Sequence, residues 1–424
     1  MVIEVNDEFF WDFKMAEFGP LPKDWQVIRL KEVVALERGV SWSKSDEATS
    51  GIGVLSIPNI REDGRLDLTP RVRILKRIPP EKWITQGDVL LVGSSGSIQN
   101  VGRVGMVSYD ISEPLTYASF TVRARVNDSR MDQTFLLYLL RSPWVKFSTF
   151  SKRAADGKYN LQVQQLRNHL VPIPPLSEQR AIAHVLRTVQ RAKEATERVI
   201  QATQELKKSL MYYLFTYGSV PIEEAEKVPL KETEIGLVPE HWEVVRLGEV
   251  ATVKYGKARP KTQGNVPVIG SGGIYGWTAT SLVDFPTLVI GRKGTAGEVW
   301  LVECPCWPSD TTFYLDWKKR VNVRFLFNYL HSNKPSGEHA KTTLPSLQRH
   351  DVEALLIPFP PLLEQGEICL ILRAVDKKLQ AEEARKQALE ELFKTLLYNL
   401  MTGKIRVKDV VLPNVGEGKG DITN

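Results

Sequence analysis

The phrases "PIPPLSEQ", residues 172–179, and "PFPPLLEQ", residues 358–365, share the pattern Pro-x-Pro-Pro-Leu-x-Glu-Gln. Proline lacks a backbone N–H and fixes φ, so it interrupts an extended segment and is well tolerated in the first turn of a helix. A glutamate in that first turn lies at the positive end of the helix dipole. Each phrase therefore predicts the end of an extended segment, followed at once by the start of a helix.

Two further blocks of the chain are duplicated in the same order. Residues 18–39 align with residues 235–256 with nine identities in 22 positions, and residues 205–216 align with residues 391–402 with seven in 12. Three collinear blocks indicate a tandem duplication. The segments between the blocks differ in length and in sequence. We therefore expect two modules with the same framework, built from the repeated blocks, and different variable segments.

Each Pro-Pro phrase is followed by a long stretch with almost no glycine or proline, up to Gly218 in the first copy and Gly403 in the second. Each stretch predicts a helix of roughly 39 residues, or about 58 Å. Apolar residues recur at alternating steps of three and four, as in a coiled-coil seam, so each helix offers the other a partner. A long surface helix on one large domain is the alternative. The candidate seam residues are Ile182, Val185, Val189, Val199, Leu206, Leu210, Ile368, Ile371, Val375, Leu389, Leu392 and Leu396.

The variable segments carry short apolar or alternating runs bounded by turn residues. Examples are "VLLVG" at 89–93, "FTVRARV" at 120–126 and "TLVIG" at 287–291, and helical patterns follow at 133–142 and 323–331. Short runs of this kind predict strands. We expect an α+β fold class, a tandem repeat in which each half is a mixed α/β domain followed by one long helix.

The sequence contains no convincing catalytic or metal-binding motif. The stretches "LLVGSSGS" at 90–97 and "LVIGRKGT" at 288–295 align weakly with each other, but neither fits the phosphate loop G-x-x-x-x-G-K-[ST]. The histidines and cysteines lack zinc-ligand spacing, and no Asn-Pro-Pro-aromatic or Asp-Pro-Pro-aromatic tetrapeptide of an amino-methyltransferase is present. We expect glycine turns after strands, whose N–H groups can approach a phosphate backbone, and no cofactor or metal.

Composition gives a weaker indication of the partner. A net charge of +6 and a pI near 9.0 favour a polyanion, although a basic soluble protein without one has about the same odds. Cys304, Cys306 and Cys369 do not form a disulfide framework and indicate a reducing compartment. No apolar run approaches the ~20 residues of a membrane span, and no signal peptide is evident. We expect a soluble, cytoplasmic protein.

Basic residues in the variable segments are mixed with aromatic residues and amides, at corresponding places in both copies. A single run of this kind is more often a solvated face, but several together favour a surface that follows phosphates. The candidate DNA-binding residues are Arg71, Arg73, Lys76, Arg77, Ser94, Ser95, Lys152, Arg153, Lys158, Tyr159, Lys254, Tyr255, Lys257, Arg259, Lys261, Tyr275, Trp277, Arg292, Lys293 and Lys341.

These blocks together resemble the specificity (S) subunits of type I restriction–modification systems, over essentially the whole chain. The resemblance rests on "EFGPLPKDWQVIRLKEV" at 17–33, "EIGLVPEHWEVVRLGEV" at 234–250, the two Pro-x-Pro-Pro-Leu-x-Glu-Gln phrases and the Leu-x-x-x-Leu-x-Thr helix ends. It implies two target-recognition domains that each read half of a bipartite site in double-stranded DNA, spaced by an antiparallel coiled coil. The predicted boundaries are 1–171 for the first recognition domain, 172–218 for the first spacer helix, 219–357 for the second recognition domain with its leading linker, 358–403 for the second helix, and 404–424 for the C-terminal tail.

The resemblance also implies a non-catalytic subunit. Two methyltransferase subunits would supply the S-adenosylmethionine chemistry, and restriction subunits would supply ATP-driven translocation and cleavage. It carries no base contacts, because these segments differ between members of the family. Two alternatives stay open at this point: an S-like subunit that serves a stand-alone methyltransferase, and a coiled-coil scaffold with no role on DNA.

Overall fold

A computed structural model of the chain describes residues 13–16, 19–336 and 346–407. The chain divides into two compact units, each assembled from mixed α and β elements. The first contains residues up to Ala195 together with those from Lys386 onward, and the second contains Thr196–Arg385.

The elements before residue 218 are β1 (Phe13–Ala16), β2 (Gly19–Pro22), β3 (Gln26–Arg29), β4 (Val34–Arg38), β5 (Glu47–Ala48), β6 (Ile52–Leu55), β7 (Val72–Ile74), β8 (Val89–Val92), β9 (Ser94–Ser95), β10 (Val104–Met106), β11 (Leu115–Tyr117), β12 (Thr121–Val126), α1 (Gln133–Arg141), β13 (Ser151–Arg153), β14 (Tyr159–Leu161), α2 (Val163–Asn168), β15 (Leu170–Ile173) and α3 (Leu176–Tyr217). Those after it are β16 (Leu230–Thr233), β17 (Gly236–Pro239), β18 (Glu243–Arg246), α4 (Leu247–Val250), β19 (Ala251–Tyr255), β20 (Val266–Gly270), β21 (Gly273–Thr278), β22 (Thr287–Gly291), β23 (Val299–Val302), β24 (Trp307–Pro308), β25 (Thr312–Trp317), α5 (Val323–Ser332), α6 (Arg349–Glu353), β26 (Leu356–Phe359) and α7 (Leu362–Met401).

The same sheet topology occurs in both units. The four-stranded sheet has the order β10-β8-β12-β4 in the first unit and β23-β22-β25-β19 in the second, with antiparallel neighbours throughout. A second sheet contains one parallel pair in each unit, β6 with β11 and β20 with β24. The weakly aligned glycine stretches follow β8 and β22, which hold the same place in their sheets, so the structure supports that alignment.

The duplicated blocks form the frame that holds each unit together. Strand β3 pairs with β15, and β18 pairs with β26, so the Trp-containing block is hydrogen-bonded to the strand that ends in the Pro-Pro phrase. The strands end at Ile173 and Phe359, and the helices begin at Leu176 and Leu362, directly after a proline. The predicted strand stop and helix start are therefore confirmed, with helices of 42 and 40 residues.

The glutamate of each phrase has a specific partner. In the first unit Glu178, 3% exposed, accepts a hydrogen bond from the indole N–H of buried Trp25 at 3.2 Å. In the second unit Glu364 accepts one from buried Trp242 at 2.9 Å. A buried indole N–H needs an acceptor, so the tryptophan of one repeated block and the glutamate of the other form one contact.

The glutamine of each phrase positions a neighbouring helix. Gln179 accepts the backbone N–H of Asp132 at 2.8 Å and donates to the carbonyl of Pro174 at 2.9 Å. Gln365 accepts the backbone N–H of Asn322 at 2.8 Å and donates to Pro360 at 2.9 Å. Asp132 and Asn322 are the N-caps of α1 and α5, so each glutamine links the start of a long helix to the start of a short one.

The repeated glycines Gly39 and Gly256 are explained by close backbone approach. A Cβ on Gly39 would overlap the carbonyl oxygen of Tyr117, and one on Gly256 would overlap that of Ser309. Each glycine follows the edge strand of its four-stranded sheet, β4 or β19. Any other residue would push the two segments apart.

Parts of both long helices complete each core. In the first unit Ile182 of α3 shares a core with Leu400 and Met401 of α7, and Lys193 lies 3.8 Å from Glu390. In the first unit the start of α3 contacts the end of α7, whereas in the second unit the end of α3 contacts the start of α7. There Leu214 shares a core with Ile368, and Lys207 forms an ion pair with Asp376 at 2.5 Å. Within each unit the two helices run antiparallel.

The seam differs from the sequence prediction at three positions. Val199, Leu206 and Leu392 are 40%, 56% and 45% exposed. The other predicted seam residues are buried or partly buried: Ile182, Val185, Val189, Leu210, Ile368, Ile371, Val375, Leu389 and Leu396. The inward line of α3 passes instead through Thr196, 2% exposed, and partly buried Lys207. In this part of α3 the buried face is formed by polar side chains. The spacing of the apolar residues therefore does not predict which residues are buried there.

Candidate nucleic-acid interface

The glycine loops of the second unit lie beside each other at one end of its sheets. Loop 291–297 follows β22, and loop 270–273 joins β20 to β21. Thr311 links them: its carbonyl accepts the N–H groups of Arg292 at 2.9 Å and Lys293 at 3.2 Å, and its hydroxyl accepts the N–H of Ser271 at 3.4 Å. Gly256, directly after β19, donates its N–H to the carbonyl of Thr312, the residue after Thr311, at 3.0 Å.

Candidate cations of the second unit have different surroundings: Lys257 and Lys293 adjoin these loops, whereas Lys261 precedes Thr262, whose hydroxyl lies 2.9 Å from that of Thr278 at the other end of β21. Lys257 is exposed, and its N–H donates to Pro308 at 3.0 Å; Lys261 and Lys293 are also exposed. The Lys254 ammonium lies 2.6 Å from Asp316, and this hydrogen bond raises its pKa. Lys254 is therefore already neutralised, whereas the other three point their charge at solvent.

Arg292 is held within the protein. Its guanidinium donates to the carbonyl of Asp310 at 2.8 Å and lies 5.4 Å from the ring of Tyr255 and 5.9 Å from that of Phe313. Such cation–π contacts fix a flat guanidinium against the rings. Arg292 and Tyr255 therefore shape the loop, and the free charge comes from its neighbour Lys293.

Aromatic side chains are exposed on strand β21, at the edge of its sheet. Tyr275 is 54% exposed and Trp277 is 50% exposed, while the Arg259 guanidinium donates to the carbonyl of Trp277 at 3.0 Å. Two more exposed residues here were not predicted from the sequence: Ile274, and Trp300, whose indole N–H donates to Ser271 at 3.3 Å. Trp300 is on β23, which pairs with β22 in the four-stranded sheet. It reaches this surface through the fold and not through proximity in the sequence.

The equivalent end of the first unit carries a different set of side chains. Strand β9 pairs with β14 and β14 with β13, which places Ser95 opposite Tyr159 and Asn160 opposite Lys152. The Arg153 guanidinium lies 5.9 Å from the Tyr159 ring, and Lys158 lies 3.4 Å from Asp156. Five predicted residues thus share one three-stranded sheet, and Lys158 directly precedes its middle strand: the five are Ser94, Ser95, Lys152, Arg153 and Tyr159.

The remaining basic run of the first unit lies along and just after β7, in a separate sheet. Arg73 is neutralised by Glu113 at 2.6 Å and donates to Gly51 at 3.2 Å. Lys76 donates to the carbonyl of Ser41 at 2.8 Å, and Arg71 and Arg77 are exposed. The basic residues 71–77 and the glycine loop 93–97 therefore do not form a single cluster.

Arg38 is a further residue at this end of the first unit that was not predicted. It ends β4 and donates to the carbonyls of Ser119 at 3.3 Å and Leu161 at 3.0 Å. It occupies the position of Tyr255 in the repeat alignment. The predicted residue Lys341 lies outside the described residues.

The chemistry available on these surfaces is that of binding. Among residues 13–16, 19–336 and 346–407, no group of three or more histidine, cysteine, aspartate or glutamate side chains is placed to hold a metal ion. In the same part of the chain no helix is long and apolar enough to cross a membrane. Loop amides, exposed lysines and exposed aromatic rings are groups that contact phosphates and bases.

Comparison with known proteins gives a consistent result. The model of the family described as "Type I restriction modification DNA specificity domain" matches residues 22–208 and 239–391. A Methanocaldococcus jannaschii protein named as a type I restriction enzyme MjaX specificity subunit is 29% identical over 422 residues, covering 94% of this chain and 97% of that protein. The Escherichia coli EcoDI specificity subunit is 22% identical, covering 82% of this chain and 81% of that protein.

Solved structures share the fold. The type I restriction–modification S subunit from M. genitalium superposes with a TM-score of 0.59 at 17% identity, covering 94% of this chain and 98% of that one. A chain from a study of complex assembly and conformational transition of the type I R-M system gives 0.54 at 22% identity, covering 91% and 99%. With both of its repeats matched by the family model, the chain belongs to the type I restriction–modification DNA specificity family.

Proposed function

We propose that this protein is the sequence-specific DNA-binding subunit of a type I restriction–modification complex, in which each recognition domain reads one half of a bipartite, gapped site. The proposal rests on one observation: the two units share the same arrangement of strands and helices but carry different side chains on the equivalent surface. Equivalent sheet ends present serines and a basic hairpin in one unit, and lysines with exposed aromatic rings in the other. Two surfaces of one architecture and different chemistry suit two different half-sites.

Within each surface the contacts divide by chemistry. Exposed Lys257, Lys261 and Lys293 suit phosphate oxygens, which supply affinity without sequence information. Ser94 in the first unit, and Tyr275 and Trp277 in the second, suit base edges and groove walls, where specificity arises. The net charge of +6 favours binding to DNA in general.

The recognition domains correspond to residues 1–171 and 219–357 in this proposal, and the helical segments to 172–218 and 358–403. The helices set the gap between half-sites and dock two methyltransferase subunits, with restriction subunits joining in the full complex. The chain itself performs no catalysis, and S-adenosylmethionine chemistry comes from its partners. It works in the cytoplasm, where the host DNA lies.

The decisive experiment is to express the chain with the methyltransferase subunits of its own system in a host that lacks such modification, and to sequence the modified bases. A gapped motif with two different halves is expected. Modification without such a motif, or no modification from an assembled complex, would refute the proposal. A gel shift with random genomic fragments tests DNA binding by the chain alone.

A further inference from the structure

A second polar site lies in the first unit, away from the glycine loop. A cavity of about 320 Å³ is bounded by loop 61–67, helix α1, residues 106–109 and the first part of α3. Met106 pairs with Val89 at the start of β8, whereas loop 93–97 follows the end of β8. The cavity is therefore at the opposite end of the sheet from the candidate DNA surface.

Five arginines line this cavity, against three carboxylates: Arg61, Arg65, Arg141, Arg187 and Arg191, with Asp63, Asp67 and Glu194. The carboxylates already have partners. Asp63 pairs with Arg65 and lies 3.7 Å from Arg61, and Glu194 lies 3.8 Å from Arg65 and accepts from Gln190 at 3.1 Å. Asp67 accepts the backbone N–H of Thr69 at 2.9 Å. Five arginines against three carboxylates leave the lining of the cavity with a net charge of +2.

Arg141 is fixed in place by the loop that covers it. Its guanidinium donates to the carbonyls of Asp63 at 2.8 Å and Glu62 at 3.5 Å and lies 5.2 Å from the ring of Phe393. Gly64, with φ of 89°, lets the loop close over the guanidinium, because a Cβ there would overlap it. Burial lowers the pKa of Arg141. The protein thus holds a cation in a fixed orientation through hydrogen bonds to neutral carbonyl oxygens, and the nearby carboxylate of Asp63 offsets part of the effect of burial on its pKa.

Arg187 and Arg191 project from successive turns of α3 toward the same cavity. Like charges four residues apart on a helix repel each other, so this arrangement weakens the helix unless an anion lies between them. Buried Tyr138 also lines the cavity, and burial raises the pKa of its phenol to about 12, which keeps it a neutral donor. Among the residues that the structure describes, Arg141, Arg187 and Arg191 form no ion pair with a carboxylate, and the phenol of Tyr138 lies beside them.

We propose that this cavity is an anion site for a phosphate group. A tetrahedral phosphate offers enough oxygens to accept from three guanidinium forks at once, whereas a carboxylate offers only two. The volume is at the lower end of the range for small-molecule sites and excludes a DNA duplex. The phosphate belongs either to inorganic phosphate or to a nucleotide, whose base would meet exposed Tyr109 at the rim. The site does not depend on the DNA-binding function proposed above.

The test is calorimetric titration of the full chain with inorganic phosphate and, separately, with ADP, at constant ionic strength. Saturable binding of at least one probe is expected. The variant Arg187→Gln/Arg191→Gln should bind about a hundredfold more weakly, because each of the two lost charge-assisted hydrogen bonds is worth about tenfold. Both side chains are exposed, so the fold should survive, as unfolding curves can verify.

The matched control is Arg198→Gln, which removes an exposed arginine further along the same helix. It should bind both probes like the unaltered chain. Equal affinities for the two probes would assign the site to phosphate alone, and tighter binding of ADP would assign it to a nucleotide. The proposal fails if neither probe binds at millimolar concentration, or if the double variant binds as well as the control.

Discussion

The indole nitrogen of Trp242 donates a hydrogen bond of 2.9 Å to Glu364, and Trp25 makes the same contact with Glu178 in the other unit. The surroundings of the two glutamates differ. Glu178 also forms two hydrogen bonds of 2.7 Å with Arg406, whereas Glu364 is bonded to the exposed side chain of His241 at 2.9 Å. One frame contact is thus an internal ion pair, and the other is closer to solvent.

Replacing Glu178 should therefore destabilise the protein more than replacing Glu364. Glu178→Ala removes two of the three hydrogen bonds between the largely buried Arg406 guanidinium and carboxylates, leaving the one to Asp24, and it also leaves the Trp25 indole N–H without its acceptor. The expected loss is about 2–5 kcal/mol in the free energy of unfolding. Glu364→Ala chiefly leaves an indole N–H without its acceptor, with an expected loss of about 1–3 kcal/mol. Urea unfolding measures both. Glu390→Ala, which breaks a more exposed pair, should cost under about 1 kcal/mol, and equal losses for all three would contradict the account.

DNA affinity should depend on the exposed lysines of the candidate surface of the second unit. Replacing Lys257, Lys261 and Lys293 by glutamine should make the slope of log affinity against log salt shallower by up to about 2.7, because each phosphate contact contributes roughly 0.9. The slope is measured by fluorescence anisotropy with duplex DNA at several salt concentrations.

The control for this variant removes the same charge from the opposite end of the same sheet. Lys318, Lys319 and Arg320 follow β25 beside the start of β19 and are exposed. Their replacement by glutamine should leave the slope almost unchanged. If both variants lower it equally, the loops are not the phosphate-binding surface.

A fragment of residues 1–220 should form a homodimer. It lacks Leu400 and Met401, which complete the core around Ile182, but carries Leu214 and Phe215 at the aligned positions of its own helix. A second copy can supply them, and the exposed apolar stripe otherwise favours association. Sedimentation should show a dimer at micromolar concentration, and Leu214→Asp should prevent it.

With methyltransferase subunits, that dimer should direct modification to a palindromic gapped sequence, since its two readers are identical. A monomeric fragment would argue against exchange of helix ends. Modification of the original asymmetric site would show that specificity does not lie in these domains.

Stability in acid should depend on Glu382. This side chain is 6% exposed, and its hydrogen bond to Lys378 at 2.5 Å lowers its pKa below the ordinary 4.5. The contribution is fully present above pH 4.5 and is lost as the pH falls through the lowered value. Urea unfolding of Glu382→Gln should show a smaller loss of stability in that window. Glu383→Gln, at an exposed neighbour, should follow the unaltered chain; an identical curve for Glu382→Gln would disprove the role.

The three cysteines should react at very different rates. Cys304 is exposed, whereas burial raises the pKa of Cys306 to about 12 and that of Cys369 to about 11. Since the thiolate is the reactive form, a thiol reagent at pH 8 should label one residue quickly and the others only after unfolding. Cys304→Ser should abolish the fast phase, and a fast phase that survives would place a buried thiol at the surface.

The sequence predicts the frame of this protein well because the frame is repeated. The two Pro-Pro phrases locate both helix starts, and the aligned tryptophans prove to be buried in both units. The sequence-based prediction fails where the burial of a side chain depends on residues that are distant in the sequence or on its neighbours in the helix. Leu206 has the spacing of a seam residue but is exposed, because Thr196 and Lys207 lie on the inward line.

On the candidate DNA surface, too, some residues could be predicted from the sequence and others could not. Glycines and lysines near strand ends were identified from local sequence, whereas Trp300 and Arg38 reach the surface only through strand pairing. Arg73 was predicted as a DNA contact, but Glu113, forty residues away, neutralises it. No local pattern in the sequence reports a partner that distant.

The first unit is built from both ends of the chain, since Phe393, Leu400 and Met401 belong to the core that contains Trp25. The second unit needs nothing beyond Arg385. On the ribosome, the first unit must therefore wait for residues 393–401 to emerge, while the second unit, made later, can close before them. Domains usually fold from the amino terminus onward, and in this chain the order of completion is inverted.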